Sequence, residues 1–213
     1  MRSTDSPELA IVYVVDDDGD VRDALGRLLR SAGWTVVAFA EGQAFLDALD
    51  DARPGCLLLD VAMPGLTGPQ VHEELRARGA SLPVLFLTGN GCVADGVRAM
   101  KRGAVDYLEK PVDADALLPA VAAAVHRHVR MRAHARRIED IERRLAQLTS
   151  REREVLELVV AGRLNKQIAG SLHIADRTVK VHRGRAMQKM GVRTLADLVH
   201  LWDAWRAEQS GAG

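Results

Sequence analysis

Cysteine is scarce in this chain: Cys56 and Cys92 are the two among 213 residues. They form no CxxC and no Cys/His metal spacing, which argues against zinc-binding and disulfide-framework classes. No uninterrupted apolar run reaches 18 residues, so no segment reads as a membrane-spanning helix. The opening MRSTDSPELA has no apolar signal core, and a reducing cytoplasm is the expected location. An excess of either charge is also lacking, since Lys+Arg and Asp+Glu both number 29. That balance hides a gradient. Residues 1–112 hold 11 basic against 17 acidic residues, a net of −6, whereas residues 149–213 hold 11 against 7, a net of +4. An acidic front and a basic tail suggest two modules, the second facing nucleic acid.

What is present begins with period. Apolar runs of strand length occur at 9–15, 34–39, 56–59, 84–87 and 105–108. Most are short, nearly continuous and free of charge, which predicts parallel strands buried on both faces. Between them, 20–32, 41–50, 68–78 and 92–102 carry apolar residues at helical spacing. Gly33, Gly79 and Gly103 follow three of these segments, where a helix C-cap favours a residue tolerant of positive φ. The alternation predicts an open, doubly wound α/β domain with a five-stranded parallel sheet. Residues 113–148 read as one helix of roughly 50 Å, with a bend or a later start expected at Pro119. Met131, His134, Ile138, Ile141, Leu145 and Leu148 repeat as a heptad seam, suited to spacing two domains or to pairing with a second copy. The Arg-rich stretch 127–137 is expected to stay solvated. Residues 149–207 read as four short helices.

The stretch VVDDDGDV, residues 14–21, sets four carboxylates within five positions. A calcium loop is a poor fit, because its sixth position from Asp16 is Val21 rather than glycine, and a strand precedes it. A solvated turn and a site for a hard metal remain. The strand ends favour the second. Strand one ends in Asp16 and Asp17, strand three in Asp60, strand four in Thr88, and Lys110-Pro111 follows strand five. In a doubly wound sheet these ends share one rim. Carboxylates there suit Mg²⁺ and can act as nucleophiles toward phosphorus, while a lysine neutralises the transferring oxygens. Asp18 and Asp20 read as the N-cap and first turn of the next helix.

The segments VVDDD, LLLDVAMPGLTG, LTG and YLEKP, in this order and spacing, resemble the receiver domain of bacterial response regulators. The resemblance implies that Asp60 is the phosphoacceptor. It implies that Asp17 and Asp60 ligate Mg²⁺, with Asp16 acting through water and the Ala62 carbonyl as a further ligand. Thr88 and Lys110 would bind phosphoryl oxygens, and Tyr107 would be the switch aromatic. Pro111 matches a proline usually preceded by a cis peptide. Ala62 and Asn90 fall where receivers vary and tune phosphoryl lifetime.

In the tail, 165–172 and 176–190, joined by HIAD, read as a helix-turn-helix, although a helical dimerisation bundle with a basic face has the same pattern. Thr149 to Glu152 reads as a capping box, Asp176 as the cap of the third helix, and Thr194 to Asp197 as a cap of the fourth. LTSREREVL, NKQIA and TVKVH resemble the LuxR-type DNA-binding domain, and the pair of domains resembles the NarL/FixJ class of response regulators. Carried over, Lys180 and Val181 would approach base edges, and Lys166, Arg183 and Arg185 phosphates. Thr178 and His182 belong to the same surface. Gly184 stands where some relatives have a DNA-contacting side chain, at a helix cost of about 0.5–1 kcal/mol relative to Ala.

The implied division is a phosphoacceptor receiver at 1–128, a helical linker at 129–147 and a helix-turn-helix domain at 148–213. The implied function is a phosphorylation-dependent transcription regulator, not an enzyme beyond its own phosphoryl transfer and dephosphorylation. Its expected partners are a sensor histidine kinase, Mg²⁺, promoter DNA with inverted half-sites, RNA polymerase and, on phosphorylation, a second copy across the last helix. Two rivals remain: a phosphorylation-independent DNA-binding protein with a vestigial receiver, and an aspartate-nucleophile phosphatase. The phosphatase usually needs a second Asp where this chain has Ala62.

Overall fold

Short, nearly continuous apolar strands between amphipathic helices fold here as a layered sheet. The computed structural model describes residues 9–50, 52–89 and 106–211. Five strands, β1 (Ile11–Val15), β2 (Thr35–Phe39), β3 (Gly55–Asp60), β4 (Val84–Thr88) and β5 (Asp106–Glu109), pair in parallel in the order β2-β1-β3-β4-β5. Among the described residues, three helices lie between strands: α1 (Gly19–Ser31), α2 (Gly42–Ala48) and α3 (Gly68–Ala77). The helix expected at 92–102 and Gly103 lie outside the described residues.

Side chains alternate between two cores. Tyr13, Val15, Leu57, Leu59 and Phe86 pack with Phe45 of α2 and Val71 and Leu75 of α3. Val12, Val14, Cys56, Leu58 and Leu87 pack on the other face with Leu25 and Leu29 of α1. Burial pushes the Cys56 thiol up to about 12, so this cysteine is a core residue rather than a reactive one. β2 departs from the expectation of strands buried on both faces, since none of its residues is fully buried and Val37 is exposed. Its apolar run belongs to an edge strand, which has β1 as its one neighbour.

A long helix, α4 (Ala114–Ala146), follows the sheet, and the chain divides inside it into two compact units, Met1–Ala133 and His134–Gly213. Pro119 lies within α4, so the helix starts before the proline rather than after it. Proline removes one N–H from the second turn. Leu117, Val121, Ala124 and Val125 complete the core that α1 lines. The stretch expected to be solvated also contributes to the first unit. His128 is buried, with Nδ1 3.0 Å from both the nitrogen and the oxygen of Gly55. Arg132 donates to the Ala52 carbonyl at 2.8 Å.

The second unit adds α5 (Ser150–Val160), α6 (Asn165–Leu172), α7 (Asp176–Lys189) and α8 (Leu195–Gly211). The seam residues Ile138, Ile141 and Leu145 are buried here with Val155, Leu156, Val179, Ala186, Leu198 and Trp202. They are therefore not available as a seam for a second copy, and their periodicity serves the chain's own core. Much of the apolar face expected to serve a dimer across the last helix has the same inward role, as Leu198 and Trp202 are buried. Thr149 and Glu152 form the expected capping box of α5. Asp176 does not cap α7: it is the first helical residue, Ala175 holds the cap position, and its carboxylate pairs with Lys180 at 2.9 Å.

Gly68 ties α3 to the end of β3. Its N–H donates to the Val61 carbonyl at 3.1 Å, and a Cβ there would overlap the Asp60 carbonyl. Overpacking against backbone costs about 1–3 kcal/mol. Gly68→Ala should therefore lower the chemical-denaturation stability of the first unit by about 2 kcal/mol, and an unchanged midpoint would contradict this packing.

Candidate functional site

β1 and β3 are neighbours, yet the chain leaves β1 toward β2 on its other side. The crevice at their carboxyl ends is where open α/β sheets bind ligands. Asp16 and Asp17 follow β1, and Asp60 ends β3. One oxygen from each lies within 4.8 Å of the others, with Asp16 and Asp60 buried and Asp17 exposed. Lys110, just beyond β5, stands between the two buried carboxylates, its Nζ 2.5 Å from Asp16 Oδ2 and 3.0 Å from Asp60 Oδ1. Its backbone N–H donates to the Thr88 carbonyl at 2.6 Å, which ties it to the end of β4. The Lys110–Pro111 peptide is cis, as expected. Thr88 is buried, and Tyr107, paired in register with Phe86, packs half-buried against the sheet core. Ala62 is exposed in the turn two residues past Asp60. Asn90 lies outside the described residues.

The acidic loop divides as expected. Asp18 is the N-cap of α1, its carboxylate accepting from the backbone N–H of Asp20 and Val21. Asp16 Oδ1 accepts from the Asp18 N–H at 3.0 Å. One residue escaped the sequence reading. Arg22 of α1 donates to the Asp16 carbonyl at 2.7 Å and so fixes the loop that carries the cluster. Its only sequence signal is a cation six residues after Asp16, too common to single out.

Three carboxylates against one ammonium leave a formal charge of −2. Burial raises the Asp60 pKa, the Lys110 hydrogen bond and charge oppose that, and Asp16 and Asp17 raise it further. Burial works against the Lys110 ammonium, but its hydrogen bonds and charge pairing with Asp16 and Asp60 prevail and hold it above its usual range. An all-oxygen set, buried on two sides and open at Asp17, fits a divalent cation that keeps several waters, as Mg²⁺ does.

The second unit gathers the other candidates around α7. Lys180, Val181 and Arg185 are exposed on it, as is Lys166 near the start of α6. Thr178 is half-buried, and Lys180 is held by Asp176. Arg183 is not simply presented outward: its Nη1 donates to Asn165 Oδ1 at 3.3 Å and braces α7 against α6. His182 is half-buried, its Nδ1 enclosed without a hydrogen-bond partner among the described residues. His173 ends α6 in the left-handed conformation at φ 53, which makes the turn between the two helices. A pairing missed in the sequence anchors the far end of α7. Lys189 donates to Glu152 at 2.6 Å, a hydrogen bond that, with the Thr149 N–H, holds the Glu152 carboxyl below its usual range. The two residues are 37 positions apart, and no local pattern signals the contact.

The raised Asp60 pKa has a consequence for stability. For such a carboxyl the contribution is full below the unfolded value, near 3.8, and is lost as pH rises through the folded one. Without divalent cation, Asp60→Asn should melt above the wild type at pH 7.5, with the gap narrowing toward pH 4. Thermal melts at the two pH values check this, and equal midpoints at pH 7.5 would contradict it.

The same two units match known families. Residues 12–122 match the response regulator receiver domain, and residues 146–202 match the luxR family of bacterial regulatory proteins. The transcriptional regulatory protein FixJ of Bradyrhizobium diazoefficiens is 43% identical over 190 residues, covering 89% of this chain and 93% of that protein. The response regulator protein TodT of Pseudomonas putida is 39% identical over 196 residues, covering 92% and 86%. Among solved structures, the response regulator StyR is 44% identical with a TM-score of 0.85, covering 91% of this chain and 98% of that one. Full-length FixJ from B. japonicum is 40% identical with a TM-score of 0.56, covering 92% and 97%. An acidic cluster with a lysine at the sheet's switch point, a braced helix-turn-helix and these likenesses agree: the chain belongs to the two-component response regulators of the FixJ type, a receiver domain joined to a LuxR-type DNA-binding domain.

Proposed function

We propose that this response regulator accepts a phosphoryl group from a sensor histidine kinase on Asp60 and, once phosphorylated, dimerises and binds promoter DNA. The observation that carries the reading is the Asp16, Asp17 and Asp60 cluster with Lys110 set against two of its carboxylates. An Asp60 carboxylate oxygen attacks phosphorus, the bond from phosphorus to the donor imidazole nitrogen breaks, and that nitrogen keeps the electron pair. Asp17 and Asp60 would hold Mg²⁺, with Asp16 acting through water and the Ala62 carbonyl as a further ligand, and the ion would supply positive charge for the transferring oxygens. Lys110 exchanges the Asp60 carboxylate for a phosphoryl oxygen, and the Thr88 hydroxyl takes another. The resulting shift of Thr88 draws Tyr107 inward, which is the two-state element the phosphoryl group biases.

The proposed division keeps a receiver at 1–128, a linker at 129–147 and a DNA-binding domain at 148–213, acting in the cytoplasm. Support for the DNA reading comes from the exposed cations of α6 and α7 in a unit with a net charge of +4 over residues 149–213. Lys166 and Arg185 supply phosphate contacts, while Lys180 and Val181 reach base edges, with Lys180 first leaving Asp176. Arg183 serves chiefly to brace the motif, and Thr178 and His182 flank the contact face. Contact with RNA polymerase follows if the bound dimer activates transcription. Among the described residues, no helix is long and apolar enough to cross a membrane.

The test uses the full chain, Mg²⁺ and acetyl phosphate as donor. Wild type should acquire label, shift toward dimer and retain duplex DNA, whereas Asp60→Asn should do none of these in response to donor. DNA retention indifferent to donor and to Asp60→Asn would point to a vestigial receiver. Release of phosphate over many turnovers would point to a phosphatase.

A further inference from the structure

α7 turns one stripe outward, made of Arg177, Lys180, Val181, Gly184 and Gln188, all exposed. Val179 and Ala186, on the opposite side, are fully buried. The stripe has a glycine at its centre, in mid-helix, where glycine is the least favourable residue short of proline. Two other glycines of this chain have internal reasons. Gly191 adopts φ +68, and a Cβ there would press on the Arg144 guanidinium. Gly42 has no space beside Val71. Gly184 has neither constraint: its φ is not positive, and a Cβ built there meets no heavy atom of the described residues within 4 Å.

The chain's own packing therefore gains nothing from the missing side chain; Gly170 of α6 is equally unconstrained, but Gly184 lies at the centre of the exposed cationic stripe of α7. We propose that Gly184 is where the backbone of α7 comes closest to duplex DNA, with no room for a methyl group between them. Lys180 and Val181, one turn earlier on the same stripe, are thereby seated deep enough to reach base edges. A side chain at 184 would act as a spacer and lift them away. On this account, specificity at this point of the site rests on close fit of backbone to groove and not on a hydrogen bond from residue 184. The inference rests on the DNA-binding reading above and adds the depth of insertion to it.

The test uses the full chain treated with acetyl phosphate and Mg²⁺, and a duplex selected by the wild type from a random-sequence pool. Gly184→Ala should raise the thermal midpoint of the DNA-binding domain and weaken binding to that duplex at least tenfold. Gly184→Lys should also weaken it, despite the added positive charge. Unchanged affinity in Gly184→Ala, or tighter binding in Gly184→Lys, would overturn the proposal and make 184 an unfilled contact position. A lowered midpoint in Gly184→Ala would overturn it too, by showing an internal need for glycine. A wild type that selects no duplex above background removes the DNA-binding reading itself, and the proposal with it.

Discussion

One ammonium between two buried carboxylates is the constraint on which the receiver depends. Lys110 lies within 3.0 Å of both Asp16 and Asp60, and Asp17 adds a third negative charge nearby. Carboxylates this close repel one another, and a single lysine cannot neutralise all three. The pocket is therefore left with a surplus of negative charge directed at one open side. A divalent cation would relieve it, and on the proposed function a phosphoryl group would then have both metal and lysine to neutralise its oxygens. Much of the surrounding fold serves this placement. Parallel β1, β3, β4 and β5 deliver their ends to one rim, Arg22 holds the Asp16 carbonyl, and Gly68 keeps the turn after Asp60 tight.

The second unit solves a different problem, which is to hold one helix rigidly while leaving a face of it exposed. α7 is secured at its middle, at its C-terminal end and along its inner side. Arg183 bonds to Asn165, Lys189 bonds to the buried Glu152, and Val179, Ala186 and Met190 are buried along the inner side. The end of α4 joins this core through Ile138, Ile141 and Leu145. A change in the backbone of α4 thus bears on the same apolar cluster that fixes α7.

The strand runs, the order of their chemistry and the capping boxes were legible because each is written locally. A capping box needs four residues, and a strand-end carboxylate needs only the run before it. The cluster of Asp16, Asp17 and Asp60 followed from two such ends and the rule for sheet crevices. Most of what escaped depends on distant partners. The exposure of β2 reflects its place at the sheet edge, which its apolar composition does not encode. His128 reads as part of a solvated basic stretch, yet it is buried against Gly55, 73 residues away. The heptad spacing of Ile138, Ile141 and Leu145 is equally satisfied by a second copy or by α5, α7 and α8, and only the tertiary fold chooses. Asp176 looked like a helix cap, but its carboxylate lies one position inside the helix and takes Lys180 instead.

The central claim is that three carboxylates facing one ammonium create a cation-dependent phosphoryl site. Calorimetric titration of Mg²⁺ into the full chain, beside Asp17→Asn, tests it most directly. Asp17 is the exposed member, so its loss should leave the fold intact. The account predicts saturable binding to one site in the wild type and a loss of at least tenfold in affinity in Asp17→Asn. Equal affinity in the two proteins, or no binding in either, would contradict it.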